Sequence, residues 1–210
     1  MAKAPETDLR RLILDTARQL LTSDGYANLS MRRIARHIGY SATSIYLHYD
    51  NKDQLVHALI DEGVEVLHSR LSAVAAETQH AGGPDCLAAL CHAYVTFGLE
   101  LPEYYEIMYL LHTEYIERYP AEKYRRARQN LDFFASALSA GADEGSFEAV
   151  GPLLGATTVW SQLHGVVSLL NSHRIDRKIP HENLVREVID RIVRGFTLSE
   201  QGREGPQMGQ

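Results

Sequence analysis

Cysteine is nearly absent from this chain: Cys86 and Cys91 are the only two in 210 residues. Five positions apart on a helix they fall on different faces, which excludes a disulfide framework and leaves two structural thiols as the expectation. Long apolar runs are missing too. No stretch reaches the roughly eighteen uncharged apolar residues of a membrane span, and Met1-Ala2-Lys3-Ala4-Pro5-Glu6 has no signal-peptide core. A cytoplasmic protein with no membrane partner is expected. Alternating polar and apolar residues joined by Gly-rich hairpin turns do not occur, which argues against a β fold. His80, His92, His112 and His164 form no HxxxH or HxxE pair with each other or with acidic neighbours, and the cysteines form no CxxC. No metal and no cofactor are therefore expected. With no phosphate-cradling Gly loop and no nucleophile beside a base, catalysis is not expected either.

Positive charge is also scarce, the net charge being −6. It is unevenly divided. Residues 1–53 carry eight Lys/Arg against six Asp/Glu, and residues 54–210 carry thirteen against twenty-one. The first segment alone is compatible with nucleic acid, and only with specific contacts, two subunits, or both. The 45% of hydrophobic residues suffices for a buried core, and their spacing is helical throughout, so an all-α fold is expected.

The first helix is placed over Thr7 to Ser23, stopped by Asp24-Gly25. Ser30 caps a second whose buried stripe is Met31, Ile34, Ala35 and Ile38, and Gly39 breaks it. Ser41 caps a short third helix, Ala42 to Leu47, and the three- or four-residue turn between them gives helix-turn-helix geometry. Asn51, with Gln54 at N3, starts a fourth helix long enough, to about Thr78, to bridge two domains. Helices follow over Asp85 to Leu101, Glu103 to Leu111, Pro120 to Asp143, Phe147 to Asn171 and His181 to Leu198. The expected domains are 1–53 for DNA and 54–198 for ligand and dimerisation, with 199–210 a disordered tail.

Residues 30–52, SMRRIARHIGYSATSIYLHYDNK, carry the chemistry. Ala42, Thr43, Ser44, Leu47 and His48 offer small hydroxyl, apolar and imidazole groups suited to base edges and thymine methyls in a major groove. Arg32, Arg33, Tyr40, Tyr46 and Lys52 suit phosphate. Singly, each has a plainer role: Tyr46 and Tyr49 as core aromatics, His48 as a C-terminal cap, the arginines as a solvated face. The combination of Ile13, Ala17, Gly25 and Tyr26, then Leu29-Ser30 with Arg32, Ile34-Ala35 and Gly39, then Ile45-Tyr46-x-His48-Tyr49-x-Asn51-Lys52-x-x-Leu55 resembles the DNA-binding domain of the tetracycline-repressor family of bacterial regulators. That resemblance implies DNA contact by Arg32, Ala42, Thr43, Ser44, Tyr46, Leu47, His48 and Lys52, with Leu47 also able to pack internally. It implies a repressor rather than an activator.

Farther along, Pro102-Glu103-Tyr104-Tyr105-x-x-Met108-Tyr109 and Trp160-Ser161-Gln162-Leu163-His164-Gly165 resemble the Trp-His-Gly type of ligand-binding domain found in some members. Tyr94, Phe97, Tyr105, Met108, Tyr109, His112, Phe133, Phe134, Trp160 and His164 are candidates to line a cavity for an apolar or aromatic effector, or simply to fill a core. Gly155, Thr158, Ser161, Gly165 and Ser168 form a seam of small residues. Leu184, Val185, Val188, Ile189, Ile192 and Phe196 form a broad apolar stripe. Both are expected in a two-fold four-helix interface of a homodimer, the alternative being the protomer's own core. Two such protomers would set their third helices in successive major grooves of a pseudo-palindromic operator, and ligand would swing them out of spacing through the fourth helix. A ligand-binding or enzymatic bundle without DNA function, and a sequence-tolerant architectural DNA protein, are the competing readings.

Overall fold

The computed structural model describes residues 6–111 and 121–198. Among them the structure is all-α: α1 (Glu6–Asp24), α2 (Met31–Ile38), α3 (Ala42–Tyr46), α4 (Lys52–Glu77), α5 (Gly83–Glu100), α6 (Pro102–Tyr109), α7 (Ala121–Asp143), α8 (Pro152–Asn171) and α9 (His181–Phe196). A 3-10 turn at Tyr26–Asn28, not expected from the pattern, follows α1. The chain divides into two compact units, Met1–Val66 with Leu101–Arg125, and Leu67–Glu100 with Arg126–Gln210. Helix α4 continues unbroken through position 53/54 and contributes to both units. The tail from Ser199 and the segment holding His112 and Tyr115 lie outside the described residues.

The core of the first unit is one cluster from α1, α2, α3, α4 and α6, with Ile13, Ala17, Ile34, Ile45, Leu55 and Leu59 almost wholly excluded from water. Helix α6 is bound to α1 by charge as well as packing. Arg18 pairs with Glu103 at 2.9 Å and with Asp15 at 3.2 Å, and its guanidinium lies 4.8 Å from the Tyr104 ring centroid. Against α4, Met108 lies so near Gly63 that a Cβ there would come within 2.6 Å of its Sδ.

In the second unit α8 and α9 pack on α5 and on each other. Helices α5 and α7 meet backbone to backbone, a Cβ on Gly83 falling 2.4 Å from Gly141 Cα. Helix α8 begins five residues later than the apolar pattern suggests. Phe147 is buried instead in an antiparallel bridge with Thr197, and Glu148 donates its N–H to the Phe196 carbonyl at 2.8 Å. The apolar residue that looked like the start of a helical stripe thus plugs the end of the unit from an extended segment. The helix starts only where Pro152 follows Gly151, a residue with no N–H entering the turn where none is needed. With no Asp, Glu, Lys or Arg in its 20 residues, α8 is apolar and long enough to cross a bilayer by composition. Its packing on α5 and α9 fits the one-sidedly buried helix of a bundle.

The hinge of the first unit is Gly39, at φ 73° in the left-handed region. A Cβ there meets nothing within 4 Å, so only backbone strain opposes a side chain. Gly39→Ala should cost about 1–2 kcal/mol, read as an earlier urea transition; an unshifted transition would show that the turn tolerates another conformation.

Candidate nucleic-acid interface

Each helix of the turn is started and stopped by its own residues. The Ser30 hydroxyl accepts the Arg33 N–H at 3.3 Å and opens α2. Gly39 closes it, the Tyr40 N–H reaching back to the Ala35 carbonyl at 2.9 Å. The Ser41 hydroxyl accepts the Ser44 N–H at 3.2 Å and opens α3. At the start of α4, Asn51 Oδ1 accepts the Gln54 N–H at 2.8 Å, while the Gln54 side chain accepts the Asp50 N–H at 2.7 Å, one residue earlier than a standard capping box.

Helix α3 has five residues and a single fully buried anchor, Ile45. Opposite that anchor, Thr43, Tyr46 and Leu47 stand on one face at helical spacing, Tyr46 50% and Leu47 79% exposed. Leu47 therefore does not pack internally. An apolar side chain held in water at the end of a polar helix has the chemistry to meet a methyl-bearing base edge. Ser44 and His48 are half-buried at the margin, and the Ser44 hydroxyl lies 2.9 Å from Ser41 Oγ. Ala42 and Tyr40 are half-buried and lean on the core, whereas Tyr49 is a core aromatic.

The cations divide into free and tethered. Arg32 is exposed and has no partner among the described residues. Arg33 is ion-paired to Asp24 and donates to the Asn28 carbonyl at 3.4 Å, which makes it a brace between α1 and α2. The Lys52 ammonium sits 3.8 Å from the Tyr26 ring centroid and donates to the Tyr26 carbonyl at 3.1 Å. The Tyr26 hydroxyl in turn donates to Asp53. Burial and that carboxylate push the Tyr26 phenol above its ordinary range, so it stays protonated. The 3-10 turn thus holds Lys52 in place with donors to spare. Arg36, exposed one turn beyond Arg32, is a further cation that the i, i+4 spacing offered and the sequence reading passed over.

The sequence profile of the bacterial regulatory proteins of the tetR family matches residues 13–59, and that of the tetracyclin repressor-like C-terminal domain matches residues 87–192, half of the chain. The chain belongs to the tetracycline-repressor family. It is 40% identical over 78 residues to an HTH-type transcriptional repressor of Mycobacterium tuberculosis, 36% of this chain and 40% of that one. With an HTH-type transcriptional regulator of Bacillus subtilis it shares 25% over 97 residues, 46% of this chain and 49% of the other. The chain thus spans less than half the length of either relative. A solved tetR-family regulatory protein from Rhodococcus RHA1 shares the fold, with a TM-score of 0.78 at 20% identity over 91% of this chain and 98% of that one. Regulators of the family bind DNA operators and dimerise, and the relatives carry the names of regulators rather than of enzymes. The matched description of the C-terminal domain does not single out the Trp-His-Gly type.

The effector candidates of this tetracycline-repressor family member fall into both units. Tyr105 and Tyr109, 5.0 Å apart by ring centroids, and Met108 belong to the first. In the second, Tyr94, Phe97 and Phe134 are completely buried. Trp160 Nε1 donates to the Tyr94 hydroxyl at 3.0 Å, and the His164 ring lies 5.3 Å from the indole. Burial holds the His164 imidazole below its usual range, so it is neutral at pH 7, and its Nε2 lies 3.5 Å from Ser168 Oγ. Half-buried Phe133 lies 5.2 Å from the ring of His68, whose Nδ1 is 3.1 Å from Asn130 Oδ1. Asn130 is one of two buried polar residues among those described. The sequence reading missed this pair, whose members stand 62 residues apart and carry no local signal of each other.

The two expected interface stripes divide as well. Thr158 and Ser161 are exposed, Gly165 and Ser168 half-buried, and a Cβ on Gly165 would meet nothing within 4 Å. Gly155 faces inward: a Cβ there would strike Leu138 at 2.7 Å and Val150 at 2.8 Å, so this glycine serves packing inside the unit. Ile189 and Ile192 are buried in the same unit, and Phe196 packs on Phe147 at 6.3 Å. That leaves Leu184, Val185 and Val188, half-buried, as the outward part of the α9 stripe.

For the interface on α3, Tyr46→Ala and Lys52→Ala should each lower affinity for every duplex, and Lys52→Ala should also reduce the slope of log affinity against log salt by up to about one, because a cation displaces counterions from phosphate and a neutral hydroxyl does not. Fluorescence anisotropy at several salt concentrations checks this: an unaltered slope in Lys52→Ala would remove Lys52 from the phosphate contacts, and unaltered affinity in Tyr46→Ala would remove Tyr46 from the interface.

Proposed function

We propose that this protein is a ligand-responsive, sequence-specific transcriptional repressor. On this reading it acts in the cytoplasm as a homodimer on a pseudo-palindromic operator and is released by a small apolar or aromatic effector. Residues 1–53 read DNA and residues 54–198 carry effector and dimer surfaces. The observation that carries the reading is the outward face of α3: Thr43, Tyr46 and Leu47 presented to solvent by a helix whose only fully buried residue is Ile45. A helix built for the core would not leave a leucine 79% exposed. Arg32 and the positioned Lys52 flank it and set register on phosphate, while α3 supplies the reading.

Supporting the effector assignment is the aromatic concentration of the second unit, relieved by few polar groups: the Trp160–Tyr94 hydrogen bond, neutral His164 and the His68–Asn130 pair. Helix α4, continuous through residues of both units, is the covalent route from effector to head. Release requires only that ligand bind the released state more tightly by a few kcal/mol.

Two measurements test this. With a duplex selected from genomic fragments, Thr43→Ala and Leu47→Ala should each shrink the preference over a scrambled duplex by about fivefold to a hundredfold; an intact preference in both would defeat direct reading by α3. Trp160 is the only tryptophan, so any compound that releases operator should also alter its emission. Release with silent Trp160 fluorescence would take the effector away from this cluster.

A further inference from the structure

The 3-10 turn at Tyr26–Asn28 receives two cations and leaves them in different electrical states. Its Asn28 carbonyl accepts from Arg33 at 3.4 Å, and its Tyr26 carbonyl accepts from the Lys52 ammonium at 3.1 Å. Each cation has an acid at hand. Asp24 reaches Arg33 and closes an ion pair. Asp53, the residue after Lys52, does not close one: Lys52 makes no ion pair among the described residues. The Asp53 carboxylate instead accepts the hydroxyl of Tyr26, the residue whose ring face and carbonyl hold the lysine. One tyrosine thus engages both halves of an ion pair that has not formed, the ammonium over its face and the carboxylate at its hydroxyl edge.

Neither packing nor helix chemistry requires that hydroxyl. A phenylalanine ring would lean on the same core cluster and offer the same face to the ammonium, and the carbonyl belongs to any residue. Asp53 stands in the first turn of α4, where the helix dipole favours a carboxylate whatever its partner. What the hydroxyl adds is a direction for Asp53. Without it, the carboxylate and the ammonium of its neighbour, carried on a flexible stem, attract one another across the vacated edge of the ring. Burial and the carboxylate keep the phenol protonated, so it remains a donor at neutral pH.

Resting on the reading of Lys52 as a phosphate contact, we infer that Tyr26 is a positioning residue for operator binding, its hydroxyl holding Asp53 away from Lys52 so that the ammonium meets DNA uncompensated. Arg33 displays the other outcome on the same turn, a cation neutralised by the acid beside it. Bonded to one carbonyl, the ammonium keeps two of its three protons for phosphate oxygens. Residues 1–53 carry only eight Lys/Arg against six Asp/Glu, so one ammonium kept or lost changes counterion release measurably. Tyr26 itself touches no DNA and acts through Lys52.

Salt-dependent anisotropy of the full chain on a duplex selected from genomic fragments tests it. Tyr26→Phe should lower affinity at low ionic strength by about two- to fivefold per head, and should reduce the slope of log affinity against log salt by up to about one per head. Adding Asp53→Asn to Tyr26→Phe should return the slope to its wild-type value, which a damaged head would not do. In a Lys52→Ala background, Tyr26→Phe should change the slope no further. A wild-type slope in Tyr26→Phe, where Lys52→Ala reduces it, would overturn the inference and leave Lys52 on phosphate. A reduced slope that Asp53→Asn does not restore would overturn it as well, showing that the hydroxyl serves only the fold of the turn. An unaltered slope in Lys52→Ala would overturn the phosphate role of Lys52 on which the inference stands.

Discussion

Burial of Ile45 is the constraint on which the head depends. A helix of five residues cannot persist alone, because nucleation fixes several backbone angles for one or two hydrogen bonds. Helix α3 exists because Ile45 is fully inserted into the cluster built from α1, α2 and α4, worth roughly 1.5–3 kcal/mol of transfer free energy, and because Ser41 satisfies its first N–H groups. Fixing one side chain inward fixes the rest of so short a helix outward. The exposure of Thr43, Tyr46 and Leu47 is the geometric complement of Ile45 rather than a separate feature.

The cations around that helix are economical. Asp24 neutralises Arg33, and Lys52 stands near Asp53 through Tyr26. A head with so little free positive charge gains little from counterion release. Affinity then has to come from shape, base contacts and the linking of two heads, and linkage multiplies modest affinities only when the spacing is right. Weak heads make the proposed regulation easy: an effector need not destroy either head, only their spacing.

The head was legible in sequence because its information is local. Ser30, Gly39, Ser41 and Asn51 each act within four residues of themselves, and the apolar stripes between them have an unambiguous period. What could not be read was whatever depends on distant partners. Arg33 looks as free as Arg32 until Asp24 is brought beside it, and Lys52 is held by a turn twenty-odd residues upstream. Phe147 and Gly155 fit their helical and small-residue patterns, yet one is drawn into a bridge with Thr197 and the other into contact with Leu138. The effector candidates suffer most, since an aromatic lining a cavity and one filling a core have identical periodicity. His68 and Asn130 were invisible because one polar residue on an apolar stripe carries no sign of its counterpart sixty residues away.

Charge divides the chain unevenly, and the division bears on how the proposed dimer works. The head must approach a polyanion with little charge to spend, whereas residues 54–210 carry thirteen Lys/Arg against twenty-one Asp/Glu, an acidic excess that a polyanion repels. A single head is then held weakly, and on the dimer reading operator binding rests on engaging both heads at once. A regulator whose output is the distance between two heads depends more on a unique register than on a tight interface.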